Sequence, residues 1–368
     1  MSQRPVPLDE MPIHQAPLSM ARVVHSDRNF YDRCYFNAHD GTGDVFLITG
    51  WGVYPNLGVK DAFATVRAGD RQHTLRLSDA VDDRGTQQEV GAYRIEVLEP
   101  LRRLRVICEN DDLGLDLTWE GSFDAVLEPR HVMLNGTRPT LDAQRFAQVG
   151  TWEGSIHAGG RTWEVTPDTW VGSRDRSWGI RPSGDAEPPG RSADEEFTGF
   201  WWLYVPLRFD DFMLVVMAQE DADGYRFYND ATRVWKDGRI EQLGWPRVDF
   251  RYRSGTRHPE AATIHMSTAA GEPVVVEVET RGFVPLHVGC GYGGDSEWSH
   301  GAWRGRGWSE HREFDYTDPE IQGKIPWGAI DHVARATCDG QVGYGLFEHA
   351  SVGRHDPTGF ADLFAVAP

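Results

Sequence analysis

Cysteine is scarce in this chain. Cys34, Cys108, Cys290 and Cys338 are the only four in 368 residues, and no two form a CxxC pair. Such spacing excludes a zinc ribbon or a redox dithiol, and it is too sparse for a disulfide scaffold. Buried free thiols are expected instead. Long apolar runs are also missing. No segment approaches the ~20 apolar residues that a membrane-spanning helix needs. From Met1 to Ala21 the chain carries proline and acid where a secretory signal would carry an apolar core. A cytoplasmic protein without a membrane span is expected. Positive charge is the third deficit: 37 Lys and Arg stand against 56 Asp and Glu, a net charge of −19. Phosphate backbones and anionic lipids repel such a surface, so nucleic acid is excluded as a main partner. Alternation along a strand accounts for the small basic group Arg102, Arg103 and Arg105.

Catalytic signatures are mostly lacking too. There is no HExxH, no HxH pair and no GxSxG, so neither a metal centre nor a serine nucleophile is expected. The pairs His300 with His311, and His349 with His355, could meet in space, but a metal site needs three or four converging ligands. Gly289 to Gly294 fits GxGxxG in form. A dinucleotide fingerprint would require a helix to start at its third glycine, and Asp295-Ser-Glu-Trp298 starts none. The stretch reads as a glycine-rich loop.

What the chain has in plenty is glycine and tryptophan, 40 and 14 residues, which suit turn-rich β structure. Period-two patterns dominate: Val45 to Thr49, Ala62 to Val66, Tyr93 to Val97, Leu104 to Cys108 and Leu115 to Trp119 in the first half. Trp201 to Val205, Phe212 to Met217, Arg226 to Tyr228, Ala262 to Met266, Val274 to Val278 and Gln341 to Phe347 follow in the second. Glu153 to His157 returns through Gly159-Gly160 to Arg161–Val165 as a hairpin. Gly359 to Val366 is expected to close the strand series, and a short helical piece is expected near Leu141 to Gln148. Strands without intervening helices predict an antiparallel all-β sandwich or barrel. The Pro-rich, acidic run after Pro182 is the one compositional break. It divides the chain into a flexible segment (1–22), an N-terminal domain (23–181), a linker or long loop (182–198) and a C-terminal domain (199–368).

Chemistry is expected in the segment Gly172-Ser-Arg-Asp-Arg-Ser-Trp-Gly-Ile-Arg-Pro182. Asp175 lies between Arg174 and Arg176, with Trp178 three residues on. In one reading Arg174, Arg176 and Arg181 neutralise Asp175 in a structural salt bridge, and its pKa falls. In the other, a desolvated Asp175 stays protonated against an aromatic wall and delivers a proton. Alternation puts Arg174, Arg176 and Trp178 on one strand face and Asp175 on the other, which leaves both readings open. His39, after Tyr35-Phe-Asn37, and Tyr54, closing the run Gly50-Trp-Gly-Val53, are further polar groups among apolar neighbours. So is His349, after Glu348 at the end of a strand. Trp201, Trp202 and Tyr204 divide between core and cavity lining, and aromatic faces would suit a carbocationic or polyunsaturated substrate.

Asp175-Arg-Ser-Trp178-Gly179, followed by Phe200-Trp-Trp-Leu-Tyr204, resembles the Asp-His-x-Trp/Arg-Gly signature of the carotenoid 1,2-hydratase (hydroxyneurosporene synthase) superfamily. Tyr35, Gly52-Val-Tyr-Pro-Asn-Leu-Gly58, Phe347-Glu-His349 and Gly359-Phe-Ala-Asp362 are similar to a bacterial branch of it, mostly of unknown function. The resemblance implies two lipocalin-like barrels side by side with a ligand cleft at or near their interface. It also implies proton addition to an alkene, giving hydration or cyclisation of an isoprenoid-, steroid- or polyketide-like molecule without a cofactor. The motif aspartate falls on Asp175, its tryptophan on Trp178, and Tyr204 follows as a site residue. The family histidine is Arg176 here. Arginine stays charged and cannot relay a proton near neutral pH, so it would hold Asp175 ionised or bind an anionic substrate group.

The expected protein is therefore a hydratase, dehydratase or cyclase with a hydrophobic small-molecule substrate, as a monomer or homodimer. Asp175, Arg176, Trp178 and His349 are the expected catalytic groups. Arg174, Trp201, Trp202, Tyr204, Tyr54 and His39 are expected to bind substrate. The alternative is a non-catalytic lipocalin-like carrier of an apolar ligand.

Overall fold

Alternating side chains with glycine turns between them become antiparallel strands along most of the chain. The computed structural model describes residues 4–187, 198–293, 295 and 297–368. Strands form two curled sheets, one of 14 strands and one of nine, which make two lipocalin-like barrels. Among the described residues no helix is long and apolar enough to cross a membrane. All four cysteines are buried and unpaired, and residues 289–293 are loop, as their sequence implies.

Two expectations fail locally. Leu141 to Gln148 is not helical but lies within the long strand Arg138–Ala158. Its alternate residues Leu141, Ala143 and Arg145 line one cavity, and strand pairing on both edges overrides the weak local helical preference. Gly359 to Val366 forms no strand: only a single bridge, His355 to Phe360, marks the end of the chain. A short helix absent from the sequence reading, Pro319–Lys324, starts where Asp318 accepts a hydrogen bond from the Glu320 amide at 2.8 Å.

Apolar side chains collect in three main places. Phe36, Leu75, Trp119 and Trp152 fill the first barrel. Trp201, Phe212, Val216 and Phe347 fill the second. A third core, with Tyr35, Phe63, Trp202, Tyr204 and Trp298, lies between them. The two sheets are also tied by the chain itself. Strand Trp308–Asp315, from the second half, pairs antiparallel with Arg71–Ala80 of the first, in the register Trp308 to Ser78 through Asp315 to Arg71.

The motif strand, Val171–Ile180, runs between Phe30–His39 and Arg138–Ala158. Its Gly179 has φ +134°, and a Cβ there would sit 2.1 Å from the Asp142 carbonyl oxygen. Both the dihedral and the contact demand glycine, so this motif position serves the backbone rather than the chemistry. Gly179→Ala should destabilise the fold by at least about 1–3 kcal/mol, read as a lowered urea midpoint at unchanged slope. A wild-type midpoint would show that the strands separate freely here.

Candidate active site between the two barrels

A cavity of about 450 Å³ opens between the motif strand on one side and strands Gly199–Arg208 and Gln341–Gly353 on the other. Register brings its polar groups together. Tyr35 pairs with Asp175 and Arg145 with Ser177 on the first sheet. Tyr204 pairs with Glu348, and Glu348 with Asp331, on the second. A second cavity of about 500 Å³ holds no buried carboxyl. There Arg257 is committed to the carbonyls of Ser351, Gly353, Asp362 and Ala365.

Four carboxyl groups around the inter-barrel cavity keep their protons more tightly than usual. Burial raises Asp175 above the ordinary carboxylate value, against the pull of Arg145, Arg33, Arg181 and Arg174. Burial pushes Glu128 up to about 7 despite its ion pair with Arg145. Asp331 is raised well above its ordinary value by burial and by the charge of Glu348, and burial raises Glu348 as well. Like charges this close in a low dielectric resist ionising together, so the pair holds a proton to higher pH than a lone carboxyl would. Two donors favour the ionised form and are outweighed by burial. Tyr35 Oη donates to Asp331 Oδ2 at 2.5 Å, and Trp202 Nε1 donates to Glu348 Oε1. Asp331 Oδ1 is buried and meets no donor among the described residues. An ionised oxygen would be costly there, and a proton shared with Glu348 removes that cost.

Aromatic rings form the opposite character of the site. The His131 ring lies parallel to Trp202, with centroids 5.7 Å apart, and stacks on Tyr228 at 4.0 Å. Burial lowers His131 to about 4, so it stays neutral and acts as a flat wall. The Arg145 guanidinium sits 4.6 Å above the Tyr204 ring, and Arg33 sits 4.9 Å above Tyr292. Protonated carboxyls facing π surfaces can deliver a proton to a double bond and shelter the resulting positive charge.

Of the residues singled out in sequence, the structure brings Asp175 and Trp202 into this cavity, with Tyr204 packed behind under Arg145. Alternation turns Arg174, Arg176 and Trp178 to the other face. Arg174 donates to Gln148 at 2.8 Å, Arg176 pairs with Asp32 at 2.9 Å, and Trp178 approaches Phe146. His349 and Trp201 point into the second barrel, where His349 Nδ1 donates to the Trp202 carbonyl at 2.8 Å and its Nε2 accepts from Tyr252 Oη at 3.0 Å. Burial lowers His349 to about 3. Tyr54 reaches Asp61 in a separate small cluster. His39 lies against Phe46, its Nδ1 accepting from the Gly41 amide at 3.2 Å.

Sequence reasoning passed over Glu128, Arg145 and Asp331, and treated Glu348 only as the end of a strand. Two signals were available. Asp331-His332 falls near the start of strand Ile330–Cys338, beside Ile330 and Val333, and Glu348 takes the cavity face as soon as His349 takes the other. Leu127-Glu128-Pro129 reads as an ordinary turn and gives no signal.

Paired lipocalin-like barrels enclosing a carboxyl-lined aromatic cavity thus define the architecture. The chain belongs to a family of unknown function, DUF8625, whose model matches residues 6–361. No curated protein matches it by sequence. Solved structures share the fold at low identity. A protein assigned as AttH from Nitrosomonas europaea is 12% identical with a TM-score of 0.52, over 91% of this chain and 99% of that one. Kievitone hydratase from Nectria haematococca is 13% identical at 0.50, over 86% and 88%. CghA is 12% identical at 0.50, over 89% of each chain.

Proposed function

We propose that this protein is an acid–base enzyme that adds water to, removes water from, or cyclises an alkene of an apolar small molecule held between the barrels. The observation that carries this reading is the convergence of Glu128, Asp175 and Glu348 on the wall of an aromatic cavity, where burial raises the pKa of each. The Asp331–Glu348 pair is the proton source, with Glu348 at the cavity wall and Tyr35 and Trp202 fixing its geometry. Asp175 is the second acid–base group, its charge set by Arg33, Arg145 and Arg181. Trp202, Tyr228 and His131 shape the apolar part of the site. The similar fold of an enzyme named as a hydratase supports the same reaction class. An isoprenoid-like substrate and a place in the carotenoid 1,2-hydratase superfamily remain part of this proposal.

The test begins with the full-length Asp175→Asn protein purified from cells, its bound apolar compounds extracted and identified by mass spectrometry. Returned to wild-type protein, the retained compound should gain or lose one water, or emerge as an isomer of unchanged mass. A compound that both proteins bind and neither alters would make the protein a carrier.

A further inference from the structure

At the outer edge of the first sheet, three ligand-type side chains converge with no hydrogen bonds among them. His73 lies on strand Arg71–Ala80, and His311 and Glu313 lie on the crossover strand Trp308–Asp315. The register sets Glu313 directly opposite His73 and His311 opposite Leu75, so all three share one face. One nitrogen from each imidazole and one carboxylate oxygen lie within 4.8 Å of one another. His73 Nδ1 is 3.5 Å from Glu313 Oε1, and the two imidazole rings are inclined by only 6° with centroids 5.8 Å apart.

Two further observations point to a missing ligand. His73 is 9% exposed, and both His73 Nδ1 and His311 Nε2 are buried without a hydrogen-bond partner. Polar nitrogens left this way are costly unless something fills the space between them. The supporting groups are also in place. Asp112 Oδ2 lies 3.9 Å from His311 Nδ1, beyond hydrogen-bond reach but where a small shift would let an outer carboxylate orient a ligating histidine. Gly159 leaves room for the His73 ring, since a Cβ there would sit 2.5 Å from His73 Nε2.

We propose that His73, His311 and Glu313 bind one Zn²⁺ ion, with Asp112 orienting His311 and water completing the coordination. Two imidazoles in a set of three suit Zn²⁺ and disfavour the hard cations Ca²⁺ and Mg²⁺, which prefer all-oxygen sites. Among the described residues this is the one cluster of its kind. It does not belong to the inter-barrel site. His73, Leu75 and Leu77 face the interior of the first barrel, whereas Gln72 and Arg76 face the other way and hold the carbonyls of Val288 and Gly289. The ion would clamp the crossover strand to the sheet it joins.

The test is a titration of metal-free, full-length protein with Zn²⁺ in competition with a chromophoric chelator. Wild type should take up one equivalent, and Co²⁺ in its place should give visible d–d bands. His73→Ala and Glu313→Gln should each weaken binding by at least about 100-fold, and Asp112→Asn by about 10-fold. Zn²⁺ should raise the melting temperature of wild type but not of His73→Ala. Glu313 is exposed, so Glu313→Gln should fold even where His73→Ala does not. Uptake no tighter than about 1 mM, or equal uptake by Glu313→Gln and wild type, would overturn the proposal.

Discussion

Glu348→Gln should leave the protein folded and able to hold its ligand while turnover falls by about 10²–10⁴-fold, the usual loss when a positioned general acid is removed. Glutamine keeps the size of the side chain and an oxygen for Trp202 Nε1, which donates to Glu348. What it removes is the second titrating group of the Asp331–Glu348 pair. The charge of Glu348 helps to raise Asp331, so without it Asp331 loses one reason to keep its proton. Asp331→Asn should do similar damage, and the double variant little more, because the two groups share one proton. In wild type, the rate should fall as pH rises past the raised value of the pair, since the acid form is the active one. Turnover with ligand affinity measured separately is the discriminating assay. Full activity in Glu348→Gln would move the proton source to Asp175.

Arg145→Met should cost about 3–5 kcal/mol of stability, the penalty for removing one partner of a buried ion pair. Arg145 is ion-paired to Glu128 and lies over the Tyr204 and Trp202 rings at 4.6 and 5.7 Å. Methionine preserves some packing but leaves Glu128 buried with no cation beside it. The loss should also depend on pH. Glu128 titrates at about 7 in the folded chain against an ordinary 4.5, so between those values the folded state binds more protons. Its contribution to stability is thus greatest at low pH and is lost as pH rises through that window. Arg145 opposes the shift, so removing it should deepen the deficit more at about pH 8 than at about pH 5. Glu128→Gln added to Arg145→Met should recover most of the loss. Urea midpoints at both pH values would measure it, and a pH-independent deficit would show that Arg145 acts through packing alone.

The strands legible in sequence, Leu113–Gly121 among them, alternate between an apolar core and more open positions, whereas the almost wholly buried Phe30–His39 and the crossover strand Trp308–Asp315 were not read. The failure at Leu141 to Gln148 has a physical source: eight residues mixing Leu141, Ala143 and Phe146 with Asp142, Gln144 and Arg145 fit either period until neighbouring strands impose one. The site was half legible. Asp175 stood out for its charged neighbours, yet those neighbours, Arg174 and Arg176, face away from the cavity. The cations that act on it most, Arg145 and Arg33, come from other strands and are remote in sequence, ahead of the nearby Arg181 and Arg174. Glu348 and Asp331 meet only through pairing of Ile330–Cys338 with Gln341–Gly353. Local sequence carries the face of a residue and not the identity of its partner across the sheet.

The crossover strand Trp308–Asp315 also sets an order of events during synthesis. Strand Arg71–Ala80 stays without its outer neighbour until residue 315 has left the ribosome. Until then the first barrel presents an unpaired strand edge, which is a template for pairing with another chain. A fragment ending near residue 181 would keep that edge for good. Such a fragment should aggregate, and supplying residues 199–368 as a separate chain should rescue it by restoring the missing strand.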